Sequence, residues 1–156
     1  MKYWHINTCS ENNKNHMLKR NYCYIGLGGN PTEYNERILK NKHTTPHQFI
    51  TFQNKAKEGD IILLYHNKQG YIAYGTFTGK INVPKLGKDL APDWNSTEVQ
   101  KHIQIKKWNL FNQPTNKSTI YNGRRSHSIR FNRKKSNERC SDIIHFLLSK
   151  TKFSKL

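Results

Sequence analysis

The chain has 156 residues, 34% of them hydrophobic and 12% aromatic, which is enough for one packed core and predicts a single domain over 1–156. It carries 27 Lys plus Arg against 10 Asp plus Glu, a formal charge of +17, and an excess of that size costs stability through self-repulsion unless a polyanion meets it. Nucleic acid is the first candidate partner, while a lysine- and asparagine-rich composition imposed by an AT-rich genome is the plain alternative.

No apolar run approaches the roughly 18 residues that span a bilayer, no charged region followed by an apolar one marks a signal peptide, and no amphipathic basic helix offers itself to a membrane. Cys9, Cys23 and Cys140 are odd in number and widely spaced, which fits reduced thiols in a soluble intracellular protein better than a disulfide framework.

In chain order, residues 2–7 alternate Tyr3, His5 and Asn7 with Trp4 and Ile6 and predict an amphipathic opening strand. Residues 9–21 are polar and predict a loop with at most one helical turn near 16–19. A strand over 22–27 runs into the break Gly28-Gly29-Asn30-Pro31. Helices are predicted over 33–42, with Thr32 as N-cap, and over 47–56, behind Pro46.

The strongest signal is 59–80, GDIILLYHNKQGYIAYGTFTGK. Two β-forming runs flank the polar turn 66–70, which predicts a hairpin whose first arm is a buried central strand. Gly75 within the second arm marks a bulge or a close backbone approach. Beyond it come a long excursion loop over 81–95, a strand over 102–110 with Ile103, Ile105 and Lys107 on one face, a polar linker over 112–118, a basic segment over 120–135 and a C-terminal helix over about 141–150 behind Ser141. This mixed order without regular βαβ units favours an α+β fold, a small barrel or half-open sheet with peripheral short helices.

The opening Lys2-Tyr3-Trp4-His5-Ile6 and the run Gly59-Asp60-Ile61-Ile62-Leu63-Leu64-Tyr65-His66-Asn67 are similar to the opening and the GDxxxFYHS run of EVE domains. The chain thus resembles the EVE and YTH domains of the PUA-like group over most of 1–111. The resemblance implies a PUA-like small β-barrel that reads a modified, typically methylated, base in DNA or RNA. The base would be flipped out into an aromatic-lined pocket, in some members as the specificity module of a McrB-type restriction system with a nuclease partner. It implies no catalysis and no cofactor.

By position, the resemblance nominates Asn7, Thr8, Ile25, Gly26, Leu27, Gly28, Tyr65 and His66 for the pocket, with Trp94 as a lid from the long loop. Leu27 stands where an aromatic wall is the rule. A flipped base needs flat apolar walls, a few polar groups for its edge and a basic rim. Trp4 and Trp108 read as core. Tyr65 and Tyr71 also fit simple cross-strand pairing, and His66 a turn cap. The densest phosphate-binding candidates are Arg124, Arg125, Arg130, Arg133, Lys134 and Lys135.

Enzymatic readings fare worse. Asp93 and Glu98 stand too close for a PD-(D/E)xK centre and the closing element is ExxK. Pro46 breaks the His43–His47 spacing that zinc on a helix would need. Neither Cys9 nor Cys23 has a recognisable base. Two alternatives stay open: a general nucleic-acid binder without a base pocket, and an ASCH-type hydrolase of a modified nucleoside.

Overall fold

The computed structural model describes residues 1–8, 10–26, 45–82, 100–115 and 129–131. These form β1 (Tyr3–Thr8), α1 (Glu11–Arg20), β2 (Tyr22–Gly26), α2 (Thr45–Lys55), β3 (Ile61–His66), β4 (Gly70–Asn82), β5 (Gln100–Thr115) and β6 (Ile129–Phe131). The described strands make one mixed sheet in the order β2-β5-β4-β3-β1-β6. β1 and β3 run parallel and every other described pair is antiparallel. The sheet curls into a half-barrel with short helices beside it, the α+β architecture expected.

The hairpin forms as its sequence predicts. Gln69 N–H donates to the His66 carbonyl at 3.1 Å and Gly70 sits at φ 90°, a conformation that a residue without Cβ adopts without strain. β3 is the buried central strand, with Ile62, Leu63 and Leu64 fully buried between β1 and β4.

Asp60, just before β3, explains the Gly-Asp pair. Its buried carboxylate accepts from Lys2 N at 2.8 Å through Oδ1, and from Trp4 Nε1 and Lys57 N, each at 3.0 Å, through Oδ2. Such charge-assisted bonds are what make a carboxylate tolerable inside. They tie the starts of β1 and β3 to the turn that leaves α2.

The main core lies between the sheet and the helices. Trp4, Ile6, Ile62, Leu64, Phe77, Ile103 and Ile105 meet Met17 of α1 and Phe49 and Phe52 of α2. Phe52 packs edge-on to Trp4, with ring centroids 4.7 Å apart. A second, smaller cluster of Leu63, Tyr65, Tyr71 and Phe111 occupies the other face, with Tyr3 and Tyr74 at its margin. The Cys23 thiol is buried in the main core, and burial holds its pKa well above the usual thiol value.

Five expectations are corrected. Residues 11–20 form a helix where a loop was expected, because Ser10 caps it by accepting from Asn13 N at 3.1 Å and Met17 anchors it in the core. β1 keeps Trp4, Ile6 and Thr8 on one buried face, but its other face is not open: Tyr3 and Asn7 are half-buried and His5 is buried against Tyr65 and Tyr71. β4 runs through Ile81 and Asn82, and β5 continues over the expected linker to Thr115.

The fifth correction concerns β5, where Lys107 does not share the face of Ile103 and Ile105. Phe77 pairs with Ile105 and Gly75 with Trp108, so β5 holds one more residue than β4 between those pairs. This bulge turns Trp108 into the core and leaves Lys107 exposed.

Gly75 is the close approach expected of it. A Cβ there would overlap the Ile105 Cγ2 methyl and stand 3.0 Å from the Lys107 carbonyl oxygen and from Trp108 Cε3. Trp108 Nε1 donates to the Met17 carbonyl at 3.1 Å, which docks the end of α1 on β5. The helix over 47–56 is present as α2, whereas the helices expected over 33–42 and 141–150 and residues 83–95 of the excursion loop lie outside the described residues.

Two substitutions test this frame. Asp60→Asn keeps the shape but turns an amide N–H₂ toward donors, and should cost about 2–4 kcal/mol in urea denaturation; a loss below about 1 kcal/mol would show that the three bonds do not hold the strand starts together. Gly75→Ala should cost about 1–3 kcal/mol by overpacking the bulge, read as a lowered midpoint with an unchanged m-value.

Candidate functional site

The parallel pairing of β1 with β3 places Asn7 beside Tyr65 and Thr8 beside His66 at the shared C-terminal end of the two strands. Asn67 N–H donates to the Thr8 carbonyl at 3.2 Å and extends the pairing into the turn. Four of the residues predicted for the pocket are thereby brought together. Ile25 and Gly26 end β2, where they pair with Lys101 and Gln100 and share no strand neighbour with those four. Leu27, Gly28 and Trp94 lie outside the described residues, as do Arg124, Arg125, Arg133, Lys134 and Lys135. The backbone of Arg130 lies in β6, opposite His5 of β1.

Tyr65 is buried and meets its cross-strand partner Tyr71 edge to face, with centroids 5.2 Å apart. His5 completes an aromatic trio at 5.6 Å from Tyr65 and 5.5 Å from Tyr71. Asn7, half-buried, carries its amide at the strand end just beyond them.

His66 is 1% exposed. Its Nδ1 accepts from Lys68 N at 3.4 Å, the turn-capping role, and this acceptor assigns the ring proton to Nε2. Nε2 faces Glu11 Oε2 at 3.6 Å. Burial, followed by the charge of Lys14, pulls the imidazole pKa below its ordinary value, partly opposed by Glu11.

Glu11 and Lys14 belong to the first turn of α1. Lys14, a buried residue, donates through Nζ to Glu11 Oε1 and, at 2.9 Å, to Gln69 Oε1 in the hairpin turn. The Lys14 hydrogen bond is the main reason the Glu11 carboxyl lies below its usual pKa. The result is a polar clamp in which α1 grips the β3–β4 turn around the end of β1. Sequence reasoning missed Glu11, Lys14 and Gln69, although Ser10 with an acidic residue behind it is a helix-start signal and the three-residue spacing of Glu11 and Lys14 suits an ion pair on one helical face. Chemically, this end of the sheet offers an amide, a hydroxyl and a neutral imidazole beside aromatic rings, with cationic Lys14 and Lys68 at its edge.

No family model matches the chain, and no curated protein matches it. Solved structures do. The chain is similar to the crystal structure of the Mmi1 YTH domain over 96% of its own length and 99% of that chain, with a TM-score of 0.61 at 11% identity. It is similar to an Mmi1 YTH domain in complex with RNA over 96% of its length and 81% of that chain, at a TM-score of 0.55 and 12% identity. A mutant ASCH protein from Zymomonas mobilis is similar over 93% of this chain and 98% of that one, at a TM-score of 0.54 and 13% identity. What is shared at these identities is the fold, and it is the PUA-like fold of YTH and ASCH domains.

The His66 clamp gives a pH-dependence with a definite sign. A histidine whose folded pKa lies below its unfolded value binds fewer protons when folded, so stability is present above the ordinary value of 6.5 and is lost as the pH falls below it. Glu11, also lowered, adds a loss of the same sign around and below its ordinary value of 4.5. Urea midpoints at about pH 7.5 and about pH 5.5 should differ in the parent chain, and His66→Gln should reduce the difference. An equal difference in both chains would remove His66 as the cause.

Proposed function

We propose that this chain is a single-domain reader of a modified base in nucleic acid and has no catalysis of its own. The observation that carries the reading is the meeting of Asn7, Thr8, Tyr65 and His66 at one end of a PUA-like sheet, in a chain of formal charge +17. A YTH domain of the same fold has been crystallised in complex with RNA. In this reading the base leaves its strand and seats against the β1–β3 end. Asn7, Thr8 and His66 meet its polar edge, Tyr65 with Tyr71 and His5 gives the rim a rigid aromatic footing, and Leu27, Gly28 and Trp94 supply the rest of the wall and the lid. Arg124, Arg125, Arg130, Arg133, Lys134 and Lys135 neutralise phosphates. The modification is a methyl group, the strand DNA or RNA, and the partner enzyme, where there is one, a restriction nuclease.

The likeness to an ASCH protein supports a second reading, an ASCH-type hydrolase of a modified nucleoside. Turnover of a free methylated nucleoside by the purified chain would favour it over the reader.

The test of the reader is binding to matched single-stranded oligonucleotides, unmodified, cytosine-methylated or adenine-methylated, at moderate and high salt. One methylated form should bind about tenfold or more tightly than its unmodified match, a gap equal to one lost contact of about 1–3 kcal/mol. Asn7→Ala should shrink that gap while leaving the unmodified affinity in place. Equal affinities throughout, with a steep salt dependence, would leave a general binder instead.

A further inference from the structure

The β5 bulge gives the molecule a basic surface that neither the pocket nor the segment over 120–135 includes. In a regular strand, Lys107 would follow Ile105 onto the core face. The extra residue between Ile105 and Trp108 returns the tryptophan to the core and leaves Lys106 and Lys107 both exposed, side by side. Gly75 permits this, because only a residue without a side chain fits beneath the bulge.

Lys80 is exposed on the neighbouring strand, and Gln104 and Asn109, on either side of the bulge, are also exposed. Among the described residues, no carboxylate pairs with Lys80, Lys106 or Lys107. Of the described acids near the ribbon, Asp60 is buried with its carboxylate among N–H donors, and Glu58 packs beside Gly79, next to Lys80 in the chain. Half-buried Tyr74 pairs with Asn109 across the strands and leans on Phe111 with ring centroids 5.5 Å apart, which sets a partly exposed aromatic ring next to the charges.

We infer that the outer face of the β4–β5 ribbon, centred on Lys106 and Lys107 with Lys80 and Tyr74, is a second phosphate-binding track for the backbone of a single-stranded nucleic acid; this rests on the nucleic-acid reading above. Adjacent uncompensated ammonium groups favour closely spaced phosphates through counterion release. A partly exposed tyrosine beside them suits a strand whose bases are unpaired and able to stack. The track carries no base specificity, so it contributes affinity and register while the β1–β3 end supplies discrimination.

The experiment measures salt dependence of binding to the same methylated and unmodified oligonucleotides for the parent chain, for Lys106→Gln/Lys107→Gln, and for a control pair of other exposed lysines, Lys19→Gln/Lys57→Gln. The bulge pair should lower affinity about tenfold or more on both oligonucleotides alike, and should reduce the log–log salt slope by about 1.4, about 0.7 for each lost phosphate contact. The control pair should change the slope by far less, and thermal midpoints should stay at the parent value because the substituted side chains are exposed. An unchanged slope in the bulge pair, with the parent still binding, overturns the track and leaves the reader standing. An equal fall in the control pair overturns it as well, in favour of net charge. A parent chain that binds no oligonucleotide removes both readings together.

Discussion

The Asp60 carboxylate is the constraint on which the rest of this fold depends. It sits inside the protein with three N–H donors around it, from the chain start at Lys2, the indole of Trp4 and the turn at Lys57. A buried carboxylate without those partners would cost several kcal/mol, so the three segments are held in one place or the charge is not buried at all. Fixing the start of β1 against the start of β3 also fixes their parallel register over six residue pairs, from Tyr3–Ile61 to Thr8–His66. The end of the sheet that carries the candidate site is thus set from its opposite end. A one-residue slip would move Trp4 and Ile6 out of the core, and the Trp4–Asp60 bond would be lost with it.

The second shaping element is the bulged β4–β5 ribbon. Three interruptions of register separate straight stretches of the two longest described strands, between Tyr71 and Ala73, Gly75 and Phe77, and Phe77 and Ile81. Each lets the ribbon bend and twist, which is how a sheet curls into a half-barrel without breaking its ladder. One of them brings Trp108 onto the end of α1, where the Met17 carbonyl accepts its indole N–H. Asn21, at φ 52°, closes the helix there, and its own carbonyl accepts from Ile105 N at 2.9 Å. Curvature and helix docking therefore share residues.

Much of this was legible in the sequence. The hairpin, its buried first arm, the second helix and the role of Gly75 follow from period, turn chemistry and the absence of a side chain. The failures have physical causes. α1 is polar over most of its surface, so periodicity says little, and its existence rests on a cap at Ser10 and one deep anchor at Met17. Strict alternation puts Lys107 on the core face because it assumes an unbroken strand, whereas a bulge is set by the partner strand rather than by local sequence. At the candidate site, the adjacency of Asn7 with Tyr65 and of Thr8 with His66 came from a resemblance, since no local pattern specifies a parallel pair more than fifty residues apart. The Lys14–Glu11–Gln69 clamp escaped for a related reason: its third member arrives from the hairpin turn, far along the chain.

The use of acidic residues ties fold and charge together. The carboxylates among the described residues are those of Glu11, Glu58 and Asp60. Asp60 is buried among N–H donors, and Glu11, although exposed, is engaged by Lys14, so two of these three already have partners within the fold. Glu58 packs beside Gly79 of β4. Among the described residues, Lys80, Lys106 and Lys107 consequently have no carboxylate paired with them, and mutual repulsion of such neighbouring charges is relieved by an arriving anion. A sequence optimised only for stability would place acids among them. That no described carboxylate pairs with Lys106 or Lys107, where the backbone departs from regular geometry to leave both side chains exposed, fits a surface shaped for a polyanion more closely than one shaped by genome composition, which would enrich lysine without regard to the bulge.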